Sequence, residues 1–487
     1  MSLLGRPSSR AACAALLLAG QLLAGYTPVA ADPAVQPAQV CGQDARTLRY
    51  VVAFARGTAE DSARSQITSA CGATTVYYPQ IAVAVATSTS SAFTDRIGAD
   101  RAFSAQAERM AAQRASGDPV KPLPARAALP ATDPAQVPAA DRREEQWDMR
   151  AINAGWAHTI NQGSSRVVVG VLDSGIDPDH PDLTTALAPE ESAGCLTGSP
   201  DPSKKAWAAS TSPHGTHVAG IIAAADDGKG ITGVAPGVRV ASVKVIDDRG
   251  YVDPEAAVCG LMWAARQHMK VTNSSYFVDP WALSCARGDD HGVVHEVLAR
   301  AVEYSTSAGT LNVAAATNEA VGLTPSPRSG LAPRPGGSEC QALPAGLRDV
   351  VAVSAVDADR TKAGYSSYGL GVIDVTAPGG VAGQCVLSTV PGGYAPLCGT
   401  SMASPHVAGV VALLATTHPD YSARQLRRTL DGQAVPIPCP ADYDLTGDGS
   451  QDAYCAGYGS YNGFYGHGMV DALAAVAPKQ VRPDRAG

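Results

Sequence analysis

Uninterrupted apolar runs alternate with helix-like patterns along most of the chain after residue 147. In residues 166–173, RVVVGVLD, every position between the first and the last is apolar or glycine, as expected of a strand covered on both faces. Similar runs are VRVASVKVID, KVTNSSY, TLNVAAATN, DVVAVSAV and GVIDVTAPG, and the helical patterns between them include PEAAVCGLMWAARQ and GVVHEVLARAVEYS. Strands that alternate with helices predict an α/β fold with a doubly wound, mainly parallel sheet. Ligands of such sheets bind beyond the carboxyl ends of the strands.

A smaller block precedes this region. LRYVVAFA and VYYPQIAVAVAT are each typical of a strand, and AEDSARSQITSA between them has helical spacing. Residues 114–146 are rich in alanine and proline with few large apolar side chains, which is typical of a linker that proteases reach easily. The predicted divisions are therefore a small α+β domain (45–110), a linker (111–146), a larger domain (147–478) and a C-terminal tail (479–487).

The N-terminal segment has the pattern of a secretory signal. Arg6 and Arg10 precede a nearly continuous apolar stretch at 11–25, and residues 29–31 (Val-Ala-Ala) are small enough for cleavage. The stretch is too short for a membrane span, so we expect a signal at 1–31, with an apolar core helix as the alternative. No later segment has 18 consecutive apolar residues, so we expect a secreted, extracellular protein without a membrane anchor.

Charge and cysteine content narrow the classes of partner and site. The formal net charge is −8 without a block of lysine or arginine, which argues against nucleic acid. Of 11 cysteines, ten remain without Cys13 of the signal, and no Cys-x-x-Cys occurs. An even number in an exported chain favours disulfides over metal clusters. We predict the pairs Cys41–Cys71 and Cys439–Cys455.

Three polar residues each stand where a polar loop meets an apolar element. Asp173 ends a strand in VLDSGID, His214 lies in SPHGTHVAG, and Ser401 lies in CGTSMASPHVAG. A serine hydroxyl becomes a good nucleophile when an imidazole accepts its proton, and a carboxylate fixes the tautomer of that imidazole. Read singly, each is an ordinary turn or cap residue.

The three motifs together, in the order Asp, His, Ser, resemble those of the subtilisin-like serine peptidases, or subtilases, from about Trp147 to Ala474. The resemblance implies a subtilisin-like α/β fold, and hydrolysis of protein or peptide substrates without a catalytic cofactor. It also implies that Asp173 orients the base, His214 is the general base and acid, and Ser401 attacks the peptide carbonyl.

The resemblance places Ser401 at the start of a central helix, whose first amides and positive end face the reaction centre. Pro405 then falls within the first turn, where a missing amide hydrogen is tolerated. Asn318 in VAAATNEA matches the family's Ala-Ala-Gly-Asn segment, and its amide is expected to stabilise the oxyanion together with the Ser401 amide. His217 is interpreted as structural, because the glutamate of a His-Glu-x-x-His metal motif is absent.

Two segments are expected to contact substrate. Phe277 and Thr317 each replace a glycine usual in the family, which predicts a narrower cleft or a displaced strand, and an altered wall of the primary specificity pocket. Tyr276 lines a neighbouring pocket or, as the alternative, packs in the core. The expected substrate-binding residues are Ser274, Ser275, Tyr276 and Phe277 in NSSYF, and Ala315, Ala316 and Thr317 in VAAATNEA. A loop with Asp247, Asp248 and Asp253 is interpreted as solvated, with a preference for basic substrate residues as the alternative.

By position and strand order, residues 48 to about 108 resemble the subtilase propeptide, a domain that assists folding and then inhibits the enzyme. The resemblance therefore implies a zymogen that cleaves itself between about Ala105 and Gln146 and then acts as a monomer.

Structural calcium is predicted at two places. AADDGKGI (224–231) has the length of the family's calcium loop, and the implied ligands are Asp182, Ala225, Asp227, Lys229 and Ile231, with Gln146 as a loosely aligned addition. DYDLTGDGSQD (442–452) resembles the start of an EF-hand loop, with Asp442, Asp444, Asp448 and Asp452 as ligands, but lacks an acidic twelfth position. The alternative for the second segment is an acidic turn without metal.

Other functions fit the sequence less well. A lipase-like α/β-hydrolase requires Gly-x-Ser-x-Gly and the order Ser, Asp, His, whereas the fifth position here is Ala403. A catalytically silent binding protein predicts at least one broken catalytic position, and none is broken. General protein degradation and maturation of one dedicated precursor both remain open.

Overall fold

The computed structural model describes residues 41, 46–116, 140–285, 289–324 and 340–477. The chain divides into two compact units, 1–41 and 42–487, and Cys41 is the described residue of the first. Three predicted segments lie outside the described residues, wholly or for the most part: the signal (1–31), the linker at 117–139 and the tail (479–487). None of the described helices is both long and apolar enough to cross a membrane.

The small N-terminal domain is an antiparallel sheet, in the order β2-β3-β1-β4, with three helices. Its elements are β1 (Leu48–Ala53), α1 (Glu60–Ser69), β2 (Gly72–Tyr78), β3 (Val83–Ser88), α2 (Phe93–Ile97), β4 (Ala102–Phe103) and α3 (Ala105–Ser116). Side chains alternate along a strand. Tyr50 and Val52 of β1 therefore pack in the core of this domain, whereas Val51 and Ala53 pack against the larger domain.

Two details of this domain differ from the prediction. VYYPQIAVAVAT was expected to be one strand, but β2 and β3 form a hairpin around Pro79, in which Ala82 has φ of +52°. Proline restricts the backbone and removes an amide donor, which favours a turn over a continued strand. Helix α3 also continues to Ser116, beyond the predicted domain end at residue 110.

The larger domain is built on a seven-stranded parallel sheet in the order β13-β12-β10-β8-β5-β7-β6. Its elements are α4 (Trp147–Ala151), α5 (Ala154–His158), β5 (Val168–Asp173), β6 (Ala193–Gly194), α6 (Lys204–Trp207), α7 (His214–Ala223), β7 (Arg239–Lys244), α8 (Pro254–Arg266), β8 (Val271–Ser274), β9 (Ser284–Cys285), α9 (Asp289–Ser307), β10 (Leu311–Ala315), β11 (Cys340–Gln341), β12 (Val350–Val356), β13 (Val375–Pro378), β14 (Val386–Val390), β15 (Gly393–Leu397), α10 (Thr400–Thr417), α11 (Ala423–Gln433), β16 (Gly457–Tyr458), β17 (Tyr461–Asn462) and α12 (Ala472–Val476).

The apolar pattern of β5 correctly predicts a strand covered on both faces. Val169 and Val171 pack on the side of α7 and α10, and Val168 and Leu172 pack on the side of α8 and α9. In the sheet, β7 lies on one side of β5 and β8 on the other, so the direction of winding reverses between β5 and β8. A crevice at the carboxyl ends of such strands is where doubly wound sheets bind ligands.

The described disulfides confirm one of the two predicted pairs. The bonds are Cys195–Cys259, Cys385–Cys398 and Cys439–Cys455, of which the last was predicted. Cys41 and Cys71 are each disulfide-bonded, and the bond between them stays a prediction.

Residues 140–146, assigned to the linker from sequence, pack against the larger domain. The Gly230 amide donates to the Ala140 carbonyl at 3.0 Å, and the Arg142 amide donates to the Gly230 carbonyl at 2.7 Å. The Gln146 side chain, 1% exposed, exchanges two hydrogen bonds with the backbone of Thr232. The folded body of the larger domain therefore includes this segment.

Candidate active site

A cavity of about 470 Å³ lies at the carboxyl edge of the sheet. It is lined by His214 at the start of α7 and Ser401 at the start of α10. Residues just beyond strands also line it: Ser275 directly after β8, and Thr317 and Asn318 shortly after β10. The fold thus brings to one cleft residues that are far apart in sequence.

Asp173 and His214 form a directly bonded pair. The Nδ1 of His214 donates to Oδ1 of Asp173 at 2.8 Å, and Asp173 is fully buried at the end of β5. The His214 side chain is 27% exposed and faces the cavity. Because Nδ1 carries the donated proton, Nε2 is the nitrogen that can accept a proton in the cleft.

The Ser401 hydroxyl donates to the carbonyl oxygen of Ser275 at 3.2 Å. It therefore has to turn toward His214 before it can transfer a proton. Its backbone amide is one of the first of α10, whose positive end stabilises negative charge.

The side chain of Asn318 has a fixed orientation. The Thr400 amide donates to it at 2.9 Å and the Thr400 hydroxyl at 2.7 Å. An amide N–H can only donate, so the atom facing Thr400 is Oδ1, and Nδ2 is left for the cavity. Sequence reasoning missed Thr400, although it lies in the matched motif directly before Ser401.

Thr317 has φ of +81°, in the left-handed region that glycine adopts readily and β-branched residues rarely do. It is 6% exposed, and its hydroxyl lies 2.8 Å from the Ser367 hydroxyl. The Ser367 amide also donates to the Thr317 carbonyl at 3.1 Å. Ser367 thus holds this wall of the cavity, and no local pattern in the sequence links the two residues.

The other predicted substrate residues separate into two groups. Ser275, Tyr276, Phe277 and Ala315 line the cavity with Thr317. Ser274 and Ala316 do not line it: Ser274 is 2% exposed and donates to the Tyr276 hydroxyl, and Ala316 packs in a small apolar cluster. Period-two alternation turns these two side chains away from the cleft.

The aspartates near the cleft are already paired with cations. Asp247 bonds Arg249 at 2.8 Å, and the buried Lys244 reaches Asp248 at 3.2 Å. Glu319 also lines the cavity, and no described side chain pairs with it. The pairing of Asp247 and Asp248 therefore argues against these aspartates as the source of a preference for basic substrates, and leaves Glu319 as the carboxylate of the cleft without a described cationic partner.

His217 has the environment of a structural residue. Its Nε2 lies 3.2 Å from the Val386 carbonyl and 3.0 Å from the Ala395 carbonyl, so it donates to the β14–β15 hairpin. Burial and the nearby His214 lower its pKa to about 3, so the ring is neutral.

A second histidine–aspartate pair, which sequence reasoning missed, lies in the core. His406, on α10, places Nδ1 2.7 Å from the Met402 carbonyl and Nε2 3.0 Å from Oδ2 of Asp148 on α4. Both side chains are fully buried. The pair joins the start of the larger domain to the turn that follows Ser401.

Lys362 lies behind the Thr317 wall and is 1% exposed. Its ammonium group donates to the carbonyls of Ala363 (2.9 Å) and Ser366 (2.7 Å), directly before Ser367. The rings of Tyr368, Tyr443 and Phe464 surround it at 5.1–5.4 Å. Burial lowers the pKa of Lys362 to about 7, although the negative charge of Asp452 acts in the opposite direction and raises it.

The first predicted calcium loop is held by hydrogen-bond donors. Oδ2 of Asp182 accepts from the Tyr394 hydroxyl at 2.8 Å and from the Ile231 amide at 3.2 Å. The amide of Gln146 is fully paired with Thr232, and Oδ1 of Asp227 accepts from the Lys229 amide. Donors thus occupy one oxygen each of Asp182, Gln146 and Asp227, which argues against calcium at these side chains, whereas the carbonyls of Ala225, Lys229 and Ile231 stay predicted ligands.

The second predicted calcium loop has the same character. Both oxygens of Asp444 accept backbone amides, including those of Gly447 and Gly449 at 2.7 Å. The Asp452 carboxylate accepts from the Leu445 amide at 2.6 Å. In the described parts of the chain, no group of three or more His, Cys, Asp or Glu side chains is arranged to hold a metal ion. These hydrogen bonds are typical of an acidic turn, and calcium at this loop stays a prediction.

Comparison with known proteins agrees with this geometry. Residues 164–468 match the sequence profile Peptidase_S8, the Subtilase family, and the match includes all three motifs. The chain belongs to the subtilase family. Members of this family are serine-type endopeptidases, and the seven-stranded parallel sheet is the fold that the motifs predicted.

Curated subtilisins show how far the likeness extends. The chain is 34% identical to Subtilisin Savinase of Lederbergia lenta over 332 residues, 68% of this subtilase and 98% of that protein. It is also 34% identical to Subtilisin amylosacchariticus of Bacillus subtilis subsp. amylosacchariticus over 289 residues. That alignment spans 58% of this chain and 64% of the relative's length.

Two solved structures share the fold at lower sequence identity. The Epidermin Leader Peptide Processing Serine Protease from Staphylococcus aureus matches with a TM-score of 0.62 and 18% identity, over 91% of this subtilase and 100% of that chain. A lanthipeptide protease matches with a TM-score of 0.54 and 24% identity, over 70% and 98%. At these identities the likeness is one of fold.

Proposed function

We propose that this subtilase is a serine endopeptidase that cleaves protein or peptide substrates through an acyl-enzyme. Ser401 is the nucleophile, His214 the general base and acid, and Asp173 the carboxylate that orients His214. The observation that carries the proposal is that the Asp173–His214 bond and the Ser401 hydroxyl meet at one cavity. Nδ2 of Asn318 and the Ser401 amide are the donors for the oxyanion.

Labelling with a fluorophosphonate tests this proposal. The wild-type protein should gain one label on Ser401, identified by peptide mass, and Ser401→Ala should gain none. Ser307→Ala removes an exposed hydroxyl on α9 and serves as the matched control, which should label like the wild type. Absence of label on the mature wild-type protein would contradict the assignment.

We also propose that the N-terminal domain is an inhibitory propeptide of an exported zymogen. Its support is the interface with α8 and α9. Arg49 bonds Glu255 at 2.9 Å and Asp253 at 3.3 Å, and Arg300 donates to the carbonyls of Phe54 and Ile81. These contacts join the apolar cluster that Val51 and Ala53 share with the larger domain.

Maturation of purified protein tests the zymogen proposal. The full-length wild type should cleave itself upstream of Ala140, because residues 140–146 belong to the folded body, and should gain activity as it does so. Ser401→Ala should stay full length. Cleavage of purified Ser401→Ala to the mature size would contradict self-processing.

A dedicated processing role is the second candidate, and the wall at Thr317 favours it. A buried threonine and Phe277 line the cavity where the family usually has glycine. A mixed peptide library decides between the roles: a narrow consensus supports one dedicated precursor, and cleavage after many residue types supports general degradation.

A further inference from the structure

Helix α10 carries a proline in its interior, close to the nucleophile. The helix begins at Thr400, so Pro405 is its sixth residue and lies beyond the first turn in which the sequence placed it. In an α-helix the amide of residue 405 would donate to the carbonyl of Ser401. Proline has no amide hydrogen, and its ring crowds that carbonyl. The Ser401 carbonyl therefore loses its partner within the helix.

A serine side chain supplies the missing donor. The Ser275 hydroxyl donates to the Ser401 carbonyl at 2.8 Å, and the Ser401 hydroxyl donates in turn to the Ser275 carbonyl. Ser275 is 3% exposed, so the bond is sheltered from solvent. Ser275, the residue after β8, thus donates the hydrogen bond that a helical amide would otherwise donate to the Ser401 carbonyl.

Two further buried residues orient Ser275. Nδ2 of Asn273 donates to the Ser275 hydroxyl at 2.9 Å, and the Ser404 hydroxyl donates to Oδ1 of Asn273 at 2.6 Å. Asn273 and Ser404 are both fully buried. The single proton of Ser275 is used on the Ser401 carbonyl, so Ser275 must accept from Asn273, and this fixes the Asn273 amide.

The bonds form one directed chain that starts and ends on α10: Ser404 to Asn273, Asn273 to Ser275, and Ser275 to the carbonyl of Ser401. Each hydroxyl has a defined donor and acceptor role. Buried networks in which every member is satisfied hold their members in one arrangement.

We propose that Asn273 and Ser404 are positioning residues for the nucleophile, which act through Ser275 to fix the first turn of α10 where Pro405 interrupts it. The proposal rests on the proposed function, in which Ser401 attacks substrate. The turn carries both the Ser401 side chain and its amide, so a shift of it misplaces nucleophile and oxyanion donor together. Displacement by about 1 Å can cost on the order of 10² in rate. Substrate binding remote from this turn is unaffected.

The test uses mature enzyme and measures the effect of each substitution on kcat both in the wild-type protein and in Pro405→Ala. Asn273→Ala and Ser404→Ala should each lower kcat at least tenfold, with KM within twofold of wild type. Pro405→Ala restores the amide donor to the Ser401 carbonyl, so in that background each change should cost threefold or less. Equal losses in both backgrounds, or an effect on KM alone, would overturn the proposal.

Thr416→Ala is the matched control, because the Thr416 hydroxyl donates to the Ala412 carbonyl of the same helix, far from Ser401. It should keep the wild-type kcat. If Pro405→Ala does not fold, a kcat loss in Ser404→Ala no larger than in Thr416→Ala would overturn the proposal. If the wild type itself neither labels nor turns over, the proposed function fails instead.

Discussion

Two histidine–aspartate pairs of similar length serve different purposes in this subtilase. His214 and Asp173 are 2.8 Å apart at the cleft, and His406 and Asp148 are 3.0 Å apart in the core. The cleft histidine has one nitrogen free to face the cavity, whereas both nitrogens of His406 face oxygen acceptors. The distance of a pair therefore does not identify a base. A proton acceptor needs a nitrogen that the fold leaves open.

The core pair also differs from the cleft pair in the number of acceptors around its imidazole. A neutral imidazole donates from one nitrogen, but the Met402 carbonyl and the Asp148 carboxylate both require a donor. Both nitrogens of His406 are thus engaged, so the pair is a fixed link between α4 and α10 and has no nitrogen open to accept the Ser401 proton.

The largest effect is expected at the cleft pair. Asp173→Asn should lower kcat by about 10³–10⁴, because an amide no longer holds His214 in the tautomer that leaves Nε2 free. The melting temperature should stay close to that of the wild type. Steady-state kinetics on matured protein checks the prediction, and a variant that keeps a tenth of the activity would contradict the role of Asp173.

The same Asp→Asn substitution in the core pair should lower stability strongly and activity little. Asp148→Asn removes one partner of a buried pair and should lower the free energy of unfolding by about 3–5 kcal/mol. Its kcat should fall less than tenfold, because His406 does not reach the cavity. Urea unfolding and kinetics on the same preparation measure both. A loss of kcat like that of Asp173→Asn would remove the distinction between the pairs.

Lys362 is a buried cation, but unlike the two histidines it is not hydrogen-bonded to a carboxylate. Its pKa in the folded protein, about 7, lies below the ordinary value of 10.5. The unfolded chain therefore binds the extra proton between about pH 7 and pH 10.5, so stability should rise with pH across this window. Relative to Lys362→Met, the gain should be on the order of 3 kcal/mol. Unfolding curves with equal pH dependence for both proteins would contradict the burial of the charge.

The smallest effect is expected for Asp182, whose partners are a hydroxyl and an amide. Tyr394→Phe should lower the free energy of unfolding by about 1 kcal/mol, the usual worth of one hydrogen bond. EDTA should leave the melting temperature of the wild type unchanged. A clear drop in EDTA, reversed by calcium, would show that the loop takes the ion despite its hydrogen bonds.

Local patterns predicted the parts of the molecule that depend on neighbours in sequence. The apolar run of β5 and the three motifs correctly placed Asp173, His214 and Ser401 at the ends of buried elements. The partners of Thr317 and His406 could not be predicted, because Ser367 and Asp148 lie 50 and 258 residues away and meet them through packing. Pro405 was misplaced within its helix because helix starts are set by capping geometry that composition does not reveal.

The divided side chains of β1 have a consequence for the fate of the N-terminal domain. Val51, Val83 and Val85 are covered by the larger domain, whereas Tyr50 and Val52 pack with Ile67 of α1 in the core of the N-terminal domain itself. A domain released by cleavage would expose one apolar face of its sheet to water. A domain of this size is only marginally stable even when its apolar surface is buried. The separated fragment would then unfold and be digested, so its release would be irreversible.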